Sequence, residues 1–461
     1  MRRIALVCAI SFLGMVGQGV HAAVTASVPK APSSTPNTSK PSDQVRFPVT
    51  KYTLPNGLTV LISEDHKAPL VSYQQWFRVG SSYESVGHTG LAHFFEHLMF
   101  KGTKKYPEVK FNHLMEVNGA SFNAFTTEDY TGFYMTLPSR KIELAIDLES
   151  DRMHNLQFDN KLINSERQVV EEERRMRYEN SVSGALWLLF RSTLYKTSPY
   201  HWPVIGYMPD LNAMKLEEFR QWYRSYYAPN NAVVTIVGDV NTAKVKKLIA
   251  KYYGPLPPSK IPPFHPTPEA PQLAPRSATE QKDVQGVSMI LGYPGVKAGD
   301  PDQYALDMLS SIMADGPSSR LYQSIIYKSH LATSVWMNSD ENVLAGDIAI
   351  GIGWDPGANI HRGVAVINKQ IEAVKANLVS KDEMTKVRNA MLLGYIRGLQ
   401  TDESKAESLA YNEIVFHDYN ELFTDLDKMS SVTRRDIQHV AKKYLTPSRL
   451  NTVEIVPKES K

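Results

Sequence analysis

The chain has 461 residues, too many for one ordinary domain, so two or three are expected. Hydrophobic residues make up 42% and charged residues 21%, enough apolar material for a sizeable core, and a formal net charge of +3 gives no reason to expect nucleic acid or an anionic membrane as partner. The one cysteine, Cys8, lies in the apolar start of the chain, which excludes disulfides, zinc–thiolate sites and cysteine nucleophiles from the rest and leaves His and carboxylate as the only metal ligands.

Residues 1–22 read as a cleavable signal peptide: Arg2 and Arg3, an apolar run over 4–16, then Val20-His21-Ala22 with small residues where cleavage needs them. The run is short for a bilayer and Gly14, Gly17 and Gly19 interrupt it, so no stable membrane insertion is expected and the location is periplasmic or secreted. Residues 23–45, rich in Ser, Thr, Pro and Lys, are expected to form a disordered tether. A first domain over 46–255 opens with the turn Pro55-Asn56-Gly57 before a strand at 58–62, and holds a second strand at 133–137 among long helical stretches. A Pro-rich linker over 256–278 leads to a second domain over 279–461.

The two domains read as repeats. Phe219 to Val237 holds Trp222, Tyr226, Pro229 and an apolar run; Ile437 to Val456 holds Val440, Tyr444, Pro447 and another. Each is an amphipathic helix, a turn fixed by Pro and a buried strand, and the matched Tyr-x-x-Pro points to duplication. The fold class is α+β, with helices packed on a mostly antiparallel sheet in each half.

The chemistry sits in Gly90-Leu91-Ala92-His93-Phe94-Phe95-Glu96-His97-Leu98. On a helix His93 and His97 are four apart, so both imidazoles leave one face at metal-bridging distance, with Glu96 beside them. Zinc needs neutral nitrogen ligands, an open position for water and a carboxylate to take that water's proton, so Glu96 is the candidate general base. The order H-x-x-E-H is that of the inverzincins. Two histidines and a glutamate on an otherwise apolar helix are costly to bury without such a role.

A third ligand should be a carboxylate on another element. Between Ile163 and Met176 three glutamates are consecutive, and helical phase separates them: Ile163, Glu166, Val169, Val170, Glu173 and Met176 form the expected buried stripe, with Glu171 and Glu172 facing away. Glu173 is thus the candidate ligand and Glu166 a supporting carboxylate.

The run from Thr89 to His97 followed by Phe100-Lys101-Gly102-Thr103 resembles the pitrilysin and mitochondrial-processing-peptidase family. Val169-Val170-Glu171-Glu172-Glu173 matches the Val-Val-x-x-Glu context of that family's third zinc ligand, with Glu166 at the place of its supporting Glu. Gly119-Ala120-Ser121-Phe122-Asn123-Ala124 matches its Gly-Ala-x-x-Asn-Ala strand, and Pro199-Tyr200 with Pro203-Val204-Ile205-Gly206 its later signature. The resemblance covers nearly all of 46–461. It implies two homologous α/β-roll domains and a zinc endopeptidase acting on peptides, with Asn123 and Ala124 on a substrate-binding strand that an extended peptide joins by edge addition.

The second half does not repeat the metal residues: alignment puts Leu309, Ile312 and Met313 at the places of His93, Glu96 and His97. The family's second half carries a substrate-gripping Arg and Tyr after a motif present here as Ser319-Arg320-Leu321-Tyr322, but this chain has Ile326 and Thr333 at those places, with Tyr327 out of register. A zinc-bearing subunit whose homologous partner brings the Arg and Tyr is therefore expected, with a homodimer of altered grip as the alternative. A non-catalytic binding or assembly subunit of the same fold is the competing function, and hydrolysis of another bond a further one.

Overall fold

The structure is a computed structural model and describes residues 45–458. The signal peptide, and the tether apart from Val45, lie outside the described residues. No helix among these is long and apolar enough to cross a membrane.

The first sheet contains β1 (Thr50–Thr53), β2 (Thr59–Glu64), β3 (Leu70–Phe77), β4 (Ser121–Thr126), β5 (Thr131–Pro138) and β6 (Ala232–Gly238), side by side as β1-β2-β6-β3-β5-β4. The second contains β7 (Arg276–Lys282), β8 (Ser288–Pro294), β9 (Ala332–Glu341), β10 (Gly346–Trp354) and β11 (Asn451–Pro457), in the order β7-β11-β8-β10-β9. With β1 set aside the two orders are the same. In each sheet one pair is parallel, β2 with β6 and β7 with β11, and every other pair is antiparallel. The duplication is therefore real at the level of topology.

The helices of the first half are α1 (Leu91–Leu98), α2 (Glu108–Val117), α3 (Ile142–Asn155), α4 (Asn160–Arg174), α5 (Val182–Leu194), α6 (Met208–Ala213), α7 (Leu216–Tyr226) and α8 (Thr242–Tyr253). Those of the second are α9 (Gln303–Ala314), α10 (Ile360–Ala376), α11 (Lys381–Arg397), α12 (Asp402–Phe416), α13 (Glu421–Ser431) and α14 (Arg434–Tyr444). The repeated Tyr-x-x-Pro is a helix end and a turn: α7 stops at Tyr226, Pro229 opens a short 3₁₀ turn and β6 follows, while α14 stops at Tyr444, Pro447 opens the same turn and β11 follows. Proline suits the first position of such a turn, where its missing N–H costs nothing.

Each half covers its own sheet on one face and its neighbour's on the other. Helix α5, from the first half, lies across β7, β8 and β11, where Ala185, Leu186, Phe190 and Leu194 bury against Ile290, Val453 and Ile455. Helix α12, at the equivalent place in the second half, lies across β3 and β6, where Ala406, Leu409, Ala410 and Ile414 bury against Leu61, Trp76, Val233 and Val237. The opposite face of that sheet, with Val60, Ile62, Tyr73, Val234 and Ile236, packs on the helices of its own half. This explains why β6 is apolar at nearly every position and buried along its whole length: a strand covered on both faces has no reason to alternate. Polar anchors set the seat, with Gln74 donating to the Glu403 carbonyl and Thr235 to that of Ala406.

The expected linker over 256–278 is shorter in the structure. β7 already begins at Arg276, because its parallel register with β11 pairs Arg276 with Asn451 and the Arg276 guanidinium donates to the carbonyls at the end of α5.

Candidate metal centre

Helix α1 starts at a point where three segments meet. Gly90 has φ +99°, and a Cβ there would sit 2.5 Å from the Ile205 carbonyl oxygen. Gly206, from the later signature, abuts Thr89 just as closely. Buried Glu84 caps the helix by accepting from the N–H groups of Gly90 and Ala92 (2.7 and 2.8 Å). Leu91, Ala92, Phe94, Phe95 and Leu98 bury into the first core. That fixes the rotation of α1 and sends His93 and His97 to one side, with ring centroids 4.9 Å apart.

Helix α4 begins with Asp159 accepting from the Leu162 N–H and buries Ile163, Glu166 and Val170. One turn beyond Val170, Glu173 reaches the histidines: Oε2 lies 3.1 Å from His97 Nε2 and Oε1 3.7 Å from His93 Nε2. One ligand atom from each of the three residues lies within 4.8 Å of the others. The donor set suits zinc: two imidazole nitrogens and a carboxylate, with carboxylate–nitrogen separations near the roughly 3.4 Å kept by donors about 2.0–2.1 Å from one tetrahedral centre.

The electrostatics set His93 and Glu173 in the protonation states of ligands, while the carboxylates beside His97 hold it protonated. Burial drives His93 down to about 3, so it is neutral at physiological pH. Glu173 stays ionised at about 2: burial opposes the charge, but His97, His93 and Arg177 outweigh it. His97 is raised to about 9, since hydrogen bonds to Glu166 and Glu173 exceed the effect of burial. Its Nδ1 donates to Glu166 Oε1 (3.0 Å), and the other oxygen of Glu166 pairs with Lys101 (2.9 Å). His93 has no such support, because its buried Nδ1 finds no hydrogen-bond partner among the described residues. Burial pushes the Glu96 carboxyl above its usual range, against the Thr126 hydroxyl, which donates to Glu96 Oε2 at 2.6 Å.

Thus the structure brings His93, Glu96, His97, Glu166 and Glu173 together. Asn123 and Ala124 lie on β4, which α1 contacts and which forms the outer edge of the sheet. Asn123 is exposed and its side-chain oxygen accepts from the Ala124 N–H (2.9 Å).

Two positions on the expected stripe differ, and so does one expected to face away from it. Val169 is 50% and Met176 63% exposed, while the Glu171 side chain is only 14% exposed and pairs with Arg175. The buried face is narrower than expected, 163-166-170-173, and at Arg175–Glu179 the helix passes into a π-turn whose extra residue rotates Met176 off it. Thr126, Lys101 and Arg177 also serve the site, the last through a 2.8 Å ion pair with Glu173. No spacing rule marks Thr126 or Lys101, since each acts across a tertiary contact. Arg177, four residues after Glu173, is an i,i+4 pair that could have been read.

In the second half Leu309, Ile312 and Met313 lie buried on α9, the helix that follows β8 as α1 follows β3. Ile326 is partly buried in a π-turn over Tyr322–Lys328, Thr333 is on β9 with its hydroxyl on the Gly353 carbonyl, and Tyr327 is exposed. Arg320 is held by a two-armed pair with Glu383 (2.7 and 3.0 Å).

Comparison with known proteins gives the family. A family model described as "Insulinase (Peptidase family M16)" matches residues 59–206, and one described as "Peptidase M16 inactive domain" matches residues 213–391. The chain is 31% identical to the zinc protease PqqE of Helicobacter pylori, over 88% of this chain and 92% of that protein. It is 24% identical to YmxG of Bacillus subtilis, called an uncharacterized zinc protease, over 86% and 96%. Among solved structures, a protease from Helicobacter pylori superimposes with a TM-score of 0.85 at 29% identity, covering 89% of this chain and all of that one. A Pseudomonas fluorescens protein described as a peptidase M16 inactive domain shares the fold at a TM-score of 0.80 and 17% identity, covering 90% and 99%. With two domain models matched in sequence and relatives that align along almost its whole described length, the chain belongs to peptidase family M16.

Proposed function

We propose that this chain is a zinc-dependent endopeptidase of peptides or unfolded polypeptides, with His93, His97 and Glu173 as metal ligands and Glu96 as general base. One observation carries the reading: two imidazoles and a carboxylate from two helices converge on one point, with a second, partly buried carboxylate adjacent in sequence to a ligand. A zinc ion held there supplies Lewis acidity toward a carbonyl oxygen and a water molecule. Glu96 takes the water's proton and gives it to the leaving amine, a task helped by a carboxyl that burial has made more basic. Glu166 fixes His97 in the tautomer that leaves Nε2 for the metal. Strand β4, paired on one side only among the described residues, takes an extended substrate by edge addition, with Asn123 and Ala124 along it. Glu96→Gln should keep one zinc per chain and lower peptide cleavage by about 10²–10⁴-fold. An unchanged cleavage rate in that variant would end the proposal.

Ile326 and Thr333, where the resemblance expects a gripping Arg and Tyr, favour a second subunit that supplies them. Full activity of the purified chain as a monomer would refute this. Activity only as a homodimer would favour the altered-grip alternative. Zinc bound tightly with no cleavage in any assembly would favour a non-catalytic binding subunit. Export to the periplasm or medium is read from the leader alone, and fractionation of cells making the full chain tests it.

A further inference from the structure

Among the described residues one side chain hydrogen-bonds the Glu96 carboxylate. The Thr126 hydroxyl donates to Glu96 Oε2 at 2.6 Å, joining the middle of α1 to the last residue of β4. The turn that follows, Thr127 to Tyr130, is tied down from several sides. Its Thr127 oxygen accepts from the N–H groups of Asp129 and Tyr130 (both 3.1 Å). From the first half, the N–H groups of Ser81 and Ser82 donate to the carbonyls of Thr127 and Glu128 (3.1 and 2.7 Å). From the second half, the Val343 N–H donates to Asp129 Oδ2 (2.9 Å). The Tyr200 hydroxyl donates to both Asp129 oxygens (2.7 and 2.8 Å) and accepts from the Leu344 N–H (2.9 Å). Arg191 completes the seam by pairing with Glu128 (2.9 Å) and with Asp347 of β10 (3.2 Å). Val343 and Leu344 lie in the β9–β10 connection, so the second half closes directly on the turn that starts after Thr126.

We infer that Thr126 is the positioning residue for the general base, and that the second half contributes to the site by clamping the β4–β5 turn through Asp129 and Tyr200. The inference rests on the zinc-peptidase reading of Glu96. A carboxylate with one oxygen held by a hydroxyl is fixed in rotation, which leaves the other oxygen to take the proton. Without the hydroxyl, Glu96 is free to turn, and a displacement on the order of 1 Å costs about 10²-fold in rate. A purely structural role for Thr126 would need the shape of the residue, not its hydroxyl.

The test uses Thr126→Val, which keeps the shape, and Thr126→Ser, which keeps the hydroxyl. The zinc-loaded chain, with any subunit that copurifies, is assayed on one fluorescence-quenched peptide chosen from a randomised set by the wild type. Thr126→Val should lose about 10- to 100-fold in kcat, with KM and zinc content unchanged, and Thr126→Ser should restore most of the loss. Crystal structures of the metal-free variants give a readout independent of activity: the Glu96 carboxylate should leave its place in Thr126→Val and keep it in Thr126→Ser. Wild-type kcat in Thr126→Val, equal losses in both variants, or an unmoved Glu96 carboxylate overturns the inference. If the wild type cleaves nothing, the zinc-peptidase reading falls, and the crystallographic comparison alone decides the role of Thr126.

Discussion

The seat of α5 on the second sheet can be tested with a two-residue cycle. Phe190 is fully buried, and its ring occupies the space beside the position of β8 that lacks a side chain: a Cβ on Gly292 would meet Phe190 Cε2 at 2.0 Å, Cζ at 2.6 Å and Cδ2 at 3.0 Å. These are far inside the roughly 3.5–4.0 Å of a comfortable carbon contact. Gly292→Ala alone must therefore push the ring out of its rotamer or the helix off the sheet, at a cost of about 1–3 kcal/mol or more. Phe190→Ala alone removes an aromatic ring from a site closed by Ala185, Ile290, Val453 and Ile455, at a cost of about 3–5 kcal/mol. In the double variant the new methyl enters the space the ring has left, so the clash disappears and part of the cavity is filled. The double variant should be no less stable than Phe190→Ala, giving a favourable coupling of about 1–3 kcal/mol. Urea unfolding followed by intrinsic fluorescence measures all four chains, with equal slopes required for the comparison. Additive losses, or a neutral Gly292→Ala, would show that α5 is not held against β8 and would undo the account of reciprocal packing between the halves.

The run of three glutamates makes a ladder for the metal: Glu173→Ala should abolish stoichiometric zinc binding, while Glu171→Ala and Glu172→Ala should leave one zinc per chain by atomic emission. Glu166→Ala, which frees His97 Nδ1 and unpairs Lys101, should weaken zinc by about 10–100-fold in competition with a chromogenic chelator. Glu407 on α12 is pushed up to about 7 by burial and then by the Glu403 carboxylate. The folded chain keeps a proton there that the unfolded chain has released, so stability falls as pH rises from the ordinary 4.5 to about 7 and is level above. Glu407→Gln should raise the unfolding free energy measured in urea at pH 8 by about 1–2 kcal/mol, and have no advantage near pH 4.

The legible part of the site is the part written locally. His93, Glu96 and His97 occupy one helical turn, and Glu166 and Glu173 share one face of a second helix, so period alone sets each group on a common side. Phase could not reveal that the buried face of α4 is narrow or that a π-turn at Arg175 carries Met176 into solvent. Lys101 and Thr126 escaped because a lysine after a helix and a threonine at a strand end are ordinary residues until the fold sets a carboxylate beside each. The repeat was visible in Tyr226-x-x-Pro229 and Tyr444-x-x-Pro447 because both mark the same helix-to-strand corner. The exchange of α5 and α12 was not, since an apolar helix face states that it needs a sheet and does not state whose.

That exchange also bears on why a half without metal ligands belongs to the fold. At the places equivalent to His93, Glu96 and His97 the second half has Leu309, Ile312 and Met313, which fill that face of α9 with side chains that core packing alone explains. Yet the first sheet would lose the cover over Leu61, Trp76, Val233 and Val237 without α12, exposing a continuous apolar face that burial otherwise stabilises at roughly 25 cal/mol per Å². The same sheet carries β4, whose end holds Thr126 against Glu96, and the turn into β5 stacks Tyr130 on Trp76 with the edge of Tyr411 from α12 against it. The candidate catalytic carboxylate and the seam between the halves are therefore mechanically one structure. Separating the halves should cost the geometry around Glu96 before it costs the metal, because His93, His97 and Glu173 all come from α1 and α4, within the first half.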